Sequence, residues 1–162
     1  MQTKILHLPL LKAAGSAAAH GAIVGYASVF NLKDLQGDIV PRGAFAASLK
    51  GWRLIRQQPA MLWQHLPARA CGSWLELRED SIGLFARGRL DMATLAGSKA
   101  WHEIKSGTVN GLSIGYLIRK SHHDPIRRAR ILTEIELHEI SLVTLPANPA
   151  ARVTGMKALA TN

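Results

Sequence analysis

A serine between two glycines is the first candidate for chemistry. Ser113 lies in VNGLSIGY, a segment that otherwise predicts a β-strand, with Gly111 and Gly115 two residues away on either side. Glycine inside a strand costs stability and usually marks a bulge or a close approach by another backbone. Strand alternation points Ser113 away from the presumed core face, which carries Leu112, Ile114, Tyr116 and Ile118. We interpret the glycines as clearing room for a substrate backbone beside the hydroxyl.

A glutamate and a histidine are also unusual for their surroundings. In EIELHEISLVTLP, alternation puts Glu139 on a mostly apolar face, where an ionised carboxylate is costly unless a histidine or arginine pairs with it. A tolerated edge position is the alternative for Glu139. His65 ends the run MLWQH, on the strand face of Met61 and Trp63. A packed, hydrogen-bonded core histidine is the alternative there.

Together these residues supply a nucleophile, a base and a group that orients the base. The segment matches the Gly-x-Ser-x-Gly pattern of α/β-hydrolases, whose serine sits on a strand-to-helix turn. Here YLIRK continues the strand, and the chain order is His, Ser, Glu, so we reject that fold. No HExxH motif occurs, and no histidine pair has ligand spacing with a carboxylate. We therefore expect neither a metal nor another cofactor.

The elements that must position these residues are mostly strands. The pattern predicts a mainly β protein with a few helices (α+β), a single-domain barrel of about seven strands with the helices packed outside. The domain covers residues 1–152, and residues 153–162, which are small and polar, form a loosely attached tail. The region from 126 to 146 is either one long bent strand or two. Strands are predicted at 21–30, 59–66, 71–80, 81–90 and 108–120, and helices around Phe45 to Trp52 and over 92–107.

Composition restricts the number of domains, the redox compartment and the kinds of partner that we expect. The chain has 162 residues, 48% of them hydrophobic, which suits one domain with a sizeable core. The single Cys71 excludes an internal disulfide and fits a reducing compartment. No apolar run approaches the roughly 20 residues of a membrane span, so we expect no membrane partner. His7, Pro9 and Lys12 interrupt the apolar N-terminus, which favours a strand and loop over an export signal.

The charge is strongly positive. A formal net charge of +9 favours a nucleic acid or an acidic protein as partner. No aromatic residues alternate with the basic ones and no nucleic-acid-binding motif occurs, so we do not expect nucleic acid as the primary partner. The densest basic cluster, in a predicted solvated hairpin, comprises Arg119, Lys120, Arg127, Arg128 and Arg130.

Five segments, which occur in order over about residues 21–152, carry a resemblance to a known family. They are GYASVFNLKDLQGDIVPRGAF, MLWQHLPARACGSW, GLFARGRL, GTVNGLSIGYLI and EIELHEISLVTLPANPAA. The chain resembles the tailed-phage prohead maturation proteases of HK97-like capsids, which are related in fold to herpesvirus assembly proteases. It departs from the usual pattern at Leu66, where an acidic residue commonly follows the histidine, and in VPRGAF, where a Pro-Gly pair is more usual.

The resemblance implies a serine endopeptidase with Ser113 as nucleophile and His65 as general base. Glu139 takes the third position, where herpesviruses use a histidine, with His138 and Glu136 as alternatives. Ala147 and Asn148 align with the oxyanion loop. The Ala147 backbone N–H is expected to hold the oxyanion, and Asn148 to support it by its side chain or through a water.

The implied biology is capsid maturation inside the procapsid, in the cytoplasm of the host bacterium. The expected partners are the major capsid protein, whose scaffolding segment is cleaved, and a second copy of the chain, through autocleavage or a homodimer. The +9 charge fits an acidic scaffolding segment and equally fits later contact with packaged DNA. Processing near MKALATN is one interpretation of the short chain. The alternative function is a catalytically degenerate module that binds capsid or scaffold.

Overall fold

Alternating apolar residues produce the strands of this protein. The computed structural model describes residues 20–159, so the predicted N-terminal strand and loop lie outside the described residues. The prediction of a mainly β protein with a few helices is confirmed. The elements are β1 (His20–Val29), β2 (Asp38–Ile39), α1 (Ala46–Leu54), β3 (Ala60–Trp63), β4 (Leu66–Glu79), β5 (Gly83–Asp91), α2 (Leu95–Ser106), β6 (Gly111–Asp124), β7 (Ala129–Val143) and β8 (Val153–Leu159).

All eight strands of the described range, residues 20–159, belong to one sheet. Seven of them follow the order β6-β7-β3-β4-β5-β1-β8, and the two-residue β2 pairs with β7 on the edge that β7 shares with β3. The sheet curls until its two ends meet, because Gly111 at the start of β6 bridges to Arg152 just before β8. The Leu112 N–H also donates to the Ala151 carbonyl at 2.9 Å. The predicted barrel is therefore a curled half-barrel whose ends touch at one point.

The two helices pack against this sheet and bury one face each. In α2, the N-cap Thr94 accepts a hydrogen bond from the Gly97 N–H at 3.0 Å, and Gly107 ends the helix with a φ of 80°. The apolar face predicted for this helix is buried, at Ala100, Trp101 and Ile104. Neither helix in the described range is both long and apolar enough to cross a membrane.

Cys71 lies on β4 and belongs to the core. Its side chain is fully buried, and burial raises the pKa of the thiol to about 12. The thiol therefore stays protonated and inaccessible in the folded protein.

The predicted region 126–146 forms one long strand, β7, with an irregularity that matters for the site. Gly115 pairs with Glu139, but the next residue, Tyr116, pairs with Leu137, so His138 is an extra residue in β7. Such an insertion reverses which side chains face the core. Leu137 and Ile140 both reach the core, whereas Glu139 points to the opposite face. Strand alternation alone predicts that Glu139 shares its mostly apolar face with Leu137, and the extra residue makes this prediction wrong.

The prediction of a loosely attached tail is also wrong for residues 153–159. These residues form β8, which pairs antiparallel with β1. An edge strand buries only one face, so the small and polar residues of this segment suffice. Val153 and Met156 pack against the core, and Gly155 is buried close to Val24. Residues 160–162 lie outside the described range.

Candidate active site

A cleft of about 390 Å³ lies beside the first residues of β6. Ser113 contributes to its wall and is 8% exposed. His65, Ala147 and Asn148, which the sequence singled out, line the same cleft. Their segments are distant in sequence, and the curl of the sheet brings them together. The other lining residues are Ala27, Ser28, Leu32, Asp34, Leu35, Gln36, Asp38, Val40, Leu112, Ile114, Tyr116 and Leu145.

His65 lies in a strained turn and not on a strand, so the predicted strand ends early, at Trp63. Gln64 and His65 both have left-handed backbones, with φ of 50° and 59°. This conformation costs about 1 kcal/mol or more per non-glycine residue. Hydrogen bonds to the end of β7 hold the turn, from the Gln64 N–H to the Leu142 carbonyl and from Gln64 Nε2 to Thr144 Oγ1, both at 2.9 Å. The turn lifts the imidazole out of the core, to 42% exposure.

The Glu139 carboxylate makes two contacts. Its Oε1 contacts Nδ1 of His65, and its Oε2 accepts a hydrogen bond from the Ser141 hydroxyl at 2.6 Å. Only 15% of the Glu139 side chain is exposed, and a carboxylate this buried requires a partner for its charge. The His65 imidazole is that partner. Because Nδ1 of His65 faces the carboxylate, Nε2 is the ring nitrogen left to exchange a proton.

The two glycines make room for protein groups and not for substrate. A Cβ on Gly115 would lie 2.8 Å from the Glu139 carboxylate carbon, because the glutamate side chain crosses β6 at this point. A Cβ on Gly111 would lie 2.7 Å from Pro146 Cδ. The prediction that Gly111 and Gly115 form the substrate cleft is therefore wrong: neither lines it. They let the carboxylate and the Pro146 loop approach the serine strand.

Ser113 and His65 share the cleft wall without a hydrogen bond between them in the described part of the chain, where the His65 ring bonds to Glu139. In structures without substrate, a hydrogen bond between a nucleophile and its base is often long and tightens only when substrate binds. The arrangement therefore places an imidazole that is oriented by a carboxylate next to a serine that lines the same cleft.

The loop after β7 closes the cleft on another side. The Ala147 carbonyl accepts from the Leu35 N–H at 3.0 Å, and among the described residues the Ala147 N–H has no acceptor. The Asn148 side chain fixes this loop: its Nδ2 donates to the Val29 carbonyl at 3.0 Å and its Oδ1 accepts from the Ala150 N–H at 3.2 Å. The amide of Asn148 thus anchors the loop that presents Ala147.

The two alternatives for the third position lie elsewhere. Glu136 contacts Arg119 and accepts a hydrogen bond from His138 Nε2 at 2.9 Å. The bond from His138, followed by that from Arg119, holds the pKa of Glu136 below its usual range. Both residues line a second groove, beside α1, and neither lines the cleft that holds Ser113.

Two residues near the cleft carried no predicted role. Ser141 is fully buried behind Glu139. Asp38, which is 1% exposed, forms a two-pronged ion pair with Arg130, with both distances 2.8 Å, across the parallel pairing of β2 and β7. The sequence signal for Ser141 was its spacing of two from Glu139. Asp38 gave no signal, because its partner is 92 residues away.

The described residues contain no candidate metal-binding site. Within residues 20–159, no group of three or more His, Cys, Asp or Glu side chains is arranged to hold a metal ion.

Comparisons with known families and with known sequences all point to the same protein family. The profile of the caudovirus prohead serine proteases matches residues 10–161. The prohead protease of Enterobacteria phage HK97 is 37% identical over 144 residues, which cover 86% of this chain and 61% of that protein. The prohead protease of Escherichia phage T5 is 25% identical over 140 residues, 85% of this chain and 65% of that protein. The chain thus spans less than two thirds of the length of either relative.

Among solved structures, the bacteriophage T4 capsid assembly protease gp21 superposes with a TM-score of 0.61. The match is 15% identical in sequence and covers 75% of this chain and 80% of that one. It establishes a shared fold. The varicella-zoster virus protease gives a TM-score of 0.42, at 11% identity and over 76% of this chain and 57% of that one.

Proposed function

Because the chain belongs to the caudovirus prohead serine protease family, we propose that it is a serine endopeptidase built on Ser113, His65 and Glu139. The observation that carries this assignment is the contact between the His65 imidazole and the Glu139 carboxylate at the cleft that Ser113 lines. An imidazole fixed by a carboxylate beside a serine hydroxyl is the arrangement that nucleophilic acyl transfer needs.

The reaction follows from the order of these groups. His65 Nε2 takes the hydroxyl proton as Ser113 Oγ attacks the scissile carbonyl carbon. Glu139 keeps the neutral ring in the form protonated at Nδ1 and stabilises the imidazolium that results. His65 then gives its proton to the leaving amine nitrogen, which frees one product and leaves an acyl-enzyme. Water, deprotonated by His65, hydrolyses that ester and restores Ser113.

The Ala147 N–H is the donor we assign to the tetrahedral oxyanion. It lines the cleft with Ser113 and has no acceptor among the described residues. Loss of one such donor typically slows a protease by about 100- to 1000-fold. Asn148 supports this donor by holding the loop, through its bonds to Val29 and Ala150.

The substrates we propose are the scaffolding segment of a major capsid protein and the chain itself. The names of the relatives, prohead protease and capsid assembly protease, support this assignment. The proposed site of action is the interior of the procapsid, in the bacterial cytoplasm. A net charge of +9 suits a scaffolding segment rich in acidic residues.

Replacement of the nucleophile tests the activity. Ser113→Ala should abolish self-cleavage, measured by mass spectrometry of the concentrated protein, with a loss of at least about 1000-fold in rate. It should also abolish labelling by a fluorophosphonate probe. Ser121→Ala is the matched control, since it makes the same change on the same strand at an exposed position.

Three results would count against the proposal. Undiminished cleavage by Ser113→Ala would remove Ser113 from the reaction. Absence of both cleavage and labelling in the concentrated wild-type protein, with binding to the capsid protein retained, would identify a degenerate binding module. A salt-sensitive affinity for DNA that is unaffected by Ser113→Ala would instead favour a nucleic-acid-binding barrel.

A further inference from the structure

Ser141 connects two parts of the candidate site that come from different strands. Its side chain is fully buried on β7, two residues after Glu139. The hydroxyl donates to Glu139 Oε2 at 2.6 Å and accepts from the backbone N–H of His65 at 3.2 Å. One hydroxyl therefore touches the carboxylate and the backbone of the base at once.

The two hydrogen bonds of the Ser141 hydroxyl stabilise the strained turn at His65 and the carboxylate of Glu139. The His65 N–H belongs to the strained turn, whose two left-handed residues need fixed partners. Glu139 has two carboxylate oxygens, and without the Ser141 bond only the contact with His65 would orient the group. A hydroxyl can fill both roles, because it has one donor and two acceptor positions.

Ser141 is a close neighbour of Ser113 but does not reach the cleft. In the ladder between β6 and β7, the two serines lie directly opposite each other, so their side chains share one face of the sheet. Ser113 lines the cleft, whereas Ser141 is fully buried and does not line it. Ser141 therefore acts on the groups that hold His65, without touching substrate.

We propose that Ser141 is a positioning residue, which fixes the carboxylate of Glu139 and the backbone of His65 in one arrangement. This role rests on the proposed function, since it concerns the same three residues. It goes beyond that function in assigning a fourth side chain, whose loss should affect the orientation and tautomer of the imidazole while leaving substrate binding intact.

The test is Ser141→Ala, with Ser48→Ala as the matched control. Ser48 also accepts a backbone N–H, that of Leu137 at 2.9 Å, but it lies on α1 away from the cleft. Ser141→Ala should lower kcat by about 10- to 100-fold with KM unchanged, because small misplacements of catalytic groups cost this much. Ser48→Ala should keep both constants.

A spectroscopic measurement separates this role from general destabilisation and from the proposed activity. In wild type, ¹⁵N NMR should show neutral His65 protonated mainly at Nδ1, and Ser141→Ala should raise the share protonated at Nε2. If wild type proves inactive and the tautomer still changes, the positioning role stands and the proposed function fails. If wild type cleaves its substrate and Ser141→Ala matches it in kcat and tautomer, the positioning role is wrong and the function stands.

A measurement on wild type covers the case in which Ser141→Ala does not fold. The His65 amide should exchange its hydrogen with solvent slowly, because it donates to a buried hydroxyl. Fast exchange of this amide, beside a slowly exchanging Gln64 amide, would overturn the proposal.

Discussion

The Glu139 carboxylate is the group that we propose for the third position of the site. Glu139→Gln keeps the shape of the side chain and removes the charge that stabilises the imidazolium, so we expect kcat to fall by about 1000-fold or more with the fold retained. The measurement is kcat on a peptide that carries the self-cleavage sequence, with circular dichroism to check folding. Glu136→Gln, the same change in the second groove, should leave kcat unchanged. If Glu136→Gln slows the reaction and Glu139→Gln does not, the third role belongs to Glu136.

Gly115 tests the path of the glutamate side chain across β6. In Gly115→Ala the new Cβ would lie 2.8 Å from the Glu139 carboxylate carbon and must displace it. We expect kcat to fall by about 10- to 100-fold while KM stays close to the wild-type value. Gly51→Ala is the control, since an added Cβ on that helix meets nothing within 4 Å. A wild-type kcat in Gly115→Ala would show that the carboxylate does not need this space.

At the scale of single residues, the sequence identifies groups that conflict with their surroundings. Ser113, His65 and Glu139 are polar residues in segments whose pattern predicts apolar strands, and that conflict was enough to select them. Ser141 raised no such conflict, because a serine in a strand is ordinary and its value depends on two partners. The role of the glycines was predicted wrongly for a related reason. A glycine in the sequence shows that space is left beside its strand, but it does not show which side chain fills that space. At Gly115 the side chain is that of Glu139, which belongs to the neighbouring strand β7.

At the scale of elements, a partly buried hydrogen bond connects β1 to the turn between β4 and β5. The Tyr26 hydroxyl donates to Asp80 Oδ2 at 2.7 Å. Burial and then this bond raise the pKa of Tyr26 to about 12. For Asp80, burial opposes ionisation, but the bonds from Tyr26 and from the Gly83 and Ile82 amides outweigh it and hold its pKa below the usual range.

The depressed pKa of Asp80 makes part of the stability dependent on pH. This contribution is complete above the ordinary carboxyl pKa near 4 and is lost as the pH falls through the lower folded value. Tyr26→Phe should therefore reduce the free energy of unfolding more at pH 7 than at about pH 3, as measured by urea titration. In an Asp80→Asn background the effect of Tyr26→Phe should be the same at both pH values. A pH-dependent effect in that background would assign the titration to another group.

Strand and helix positions were largely predictable, and local backbone irregularities were not. The hairpin of β4 and β5 and the apolar face of α2 followed from alternation and from helical spacing. The extra residue at His138 and the left-handed turn at Gln64 were missed. Neither contains a glycine, and both are stabilised by neighbouring strands. The strand β8 was missed because its residues have weak strand preference, and pairing with β1 supplies the stability.

At the scale of the whole molecule, the charge predicts how salt affects catalysis. With a net charge of +9, association with an acidic segment should weaken as salt screens the attraction. The test uses two peptides that carry the self-cleavage sequence, one flanked by Asp and Glu and one by Asn and Gln. We expect KM for the acidic peptide to rise severalfold with salt, and KM for the neutral peptide to stay constant. Equal salt dependence for both would show that the charge serves another partner.

The pairing of β7 with β2, β3 and β6 has a consequence for the timing of synthesis. His65 meets a carboxylate 74 residues further along the chain, and the strand that carries this carboxylate is the last long one before β8. A nascent chain that has emerged only as far as Ser113 therefore has the proposed nucleophile and base but no group to orient the base. The pair assembles only after β7 leaves the ribosome and docks between β3 and β6. The proposed proteolytic activity therefore requires a chain that has been synthesised at least through β7.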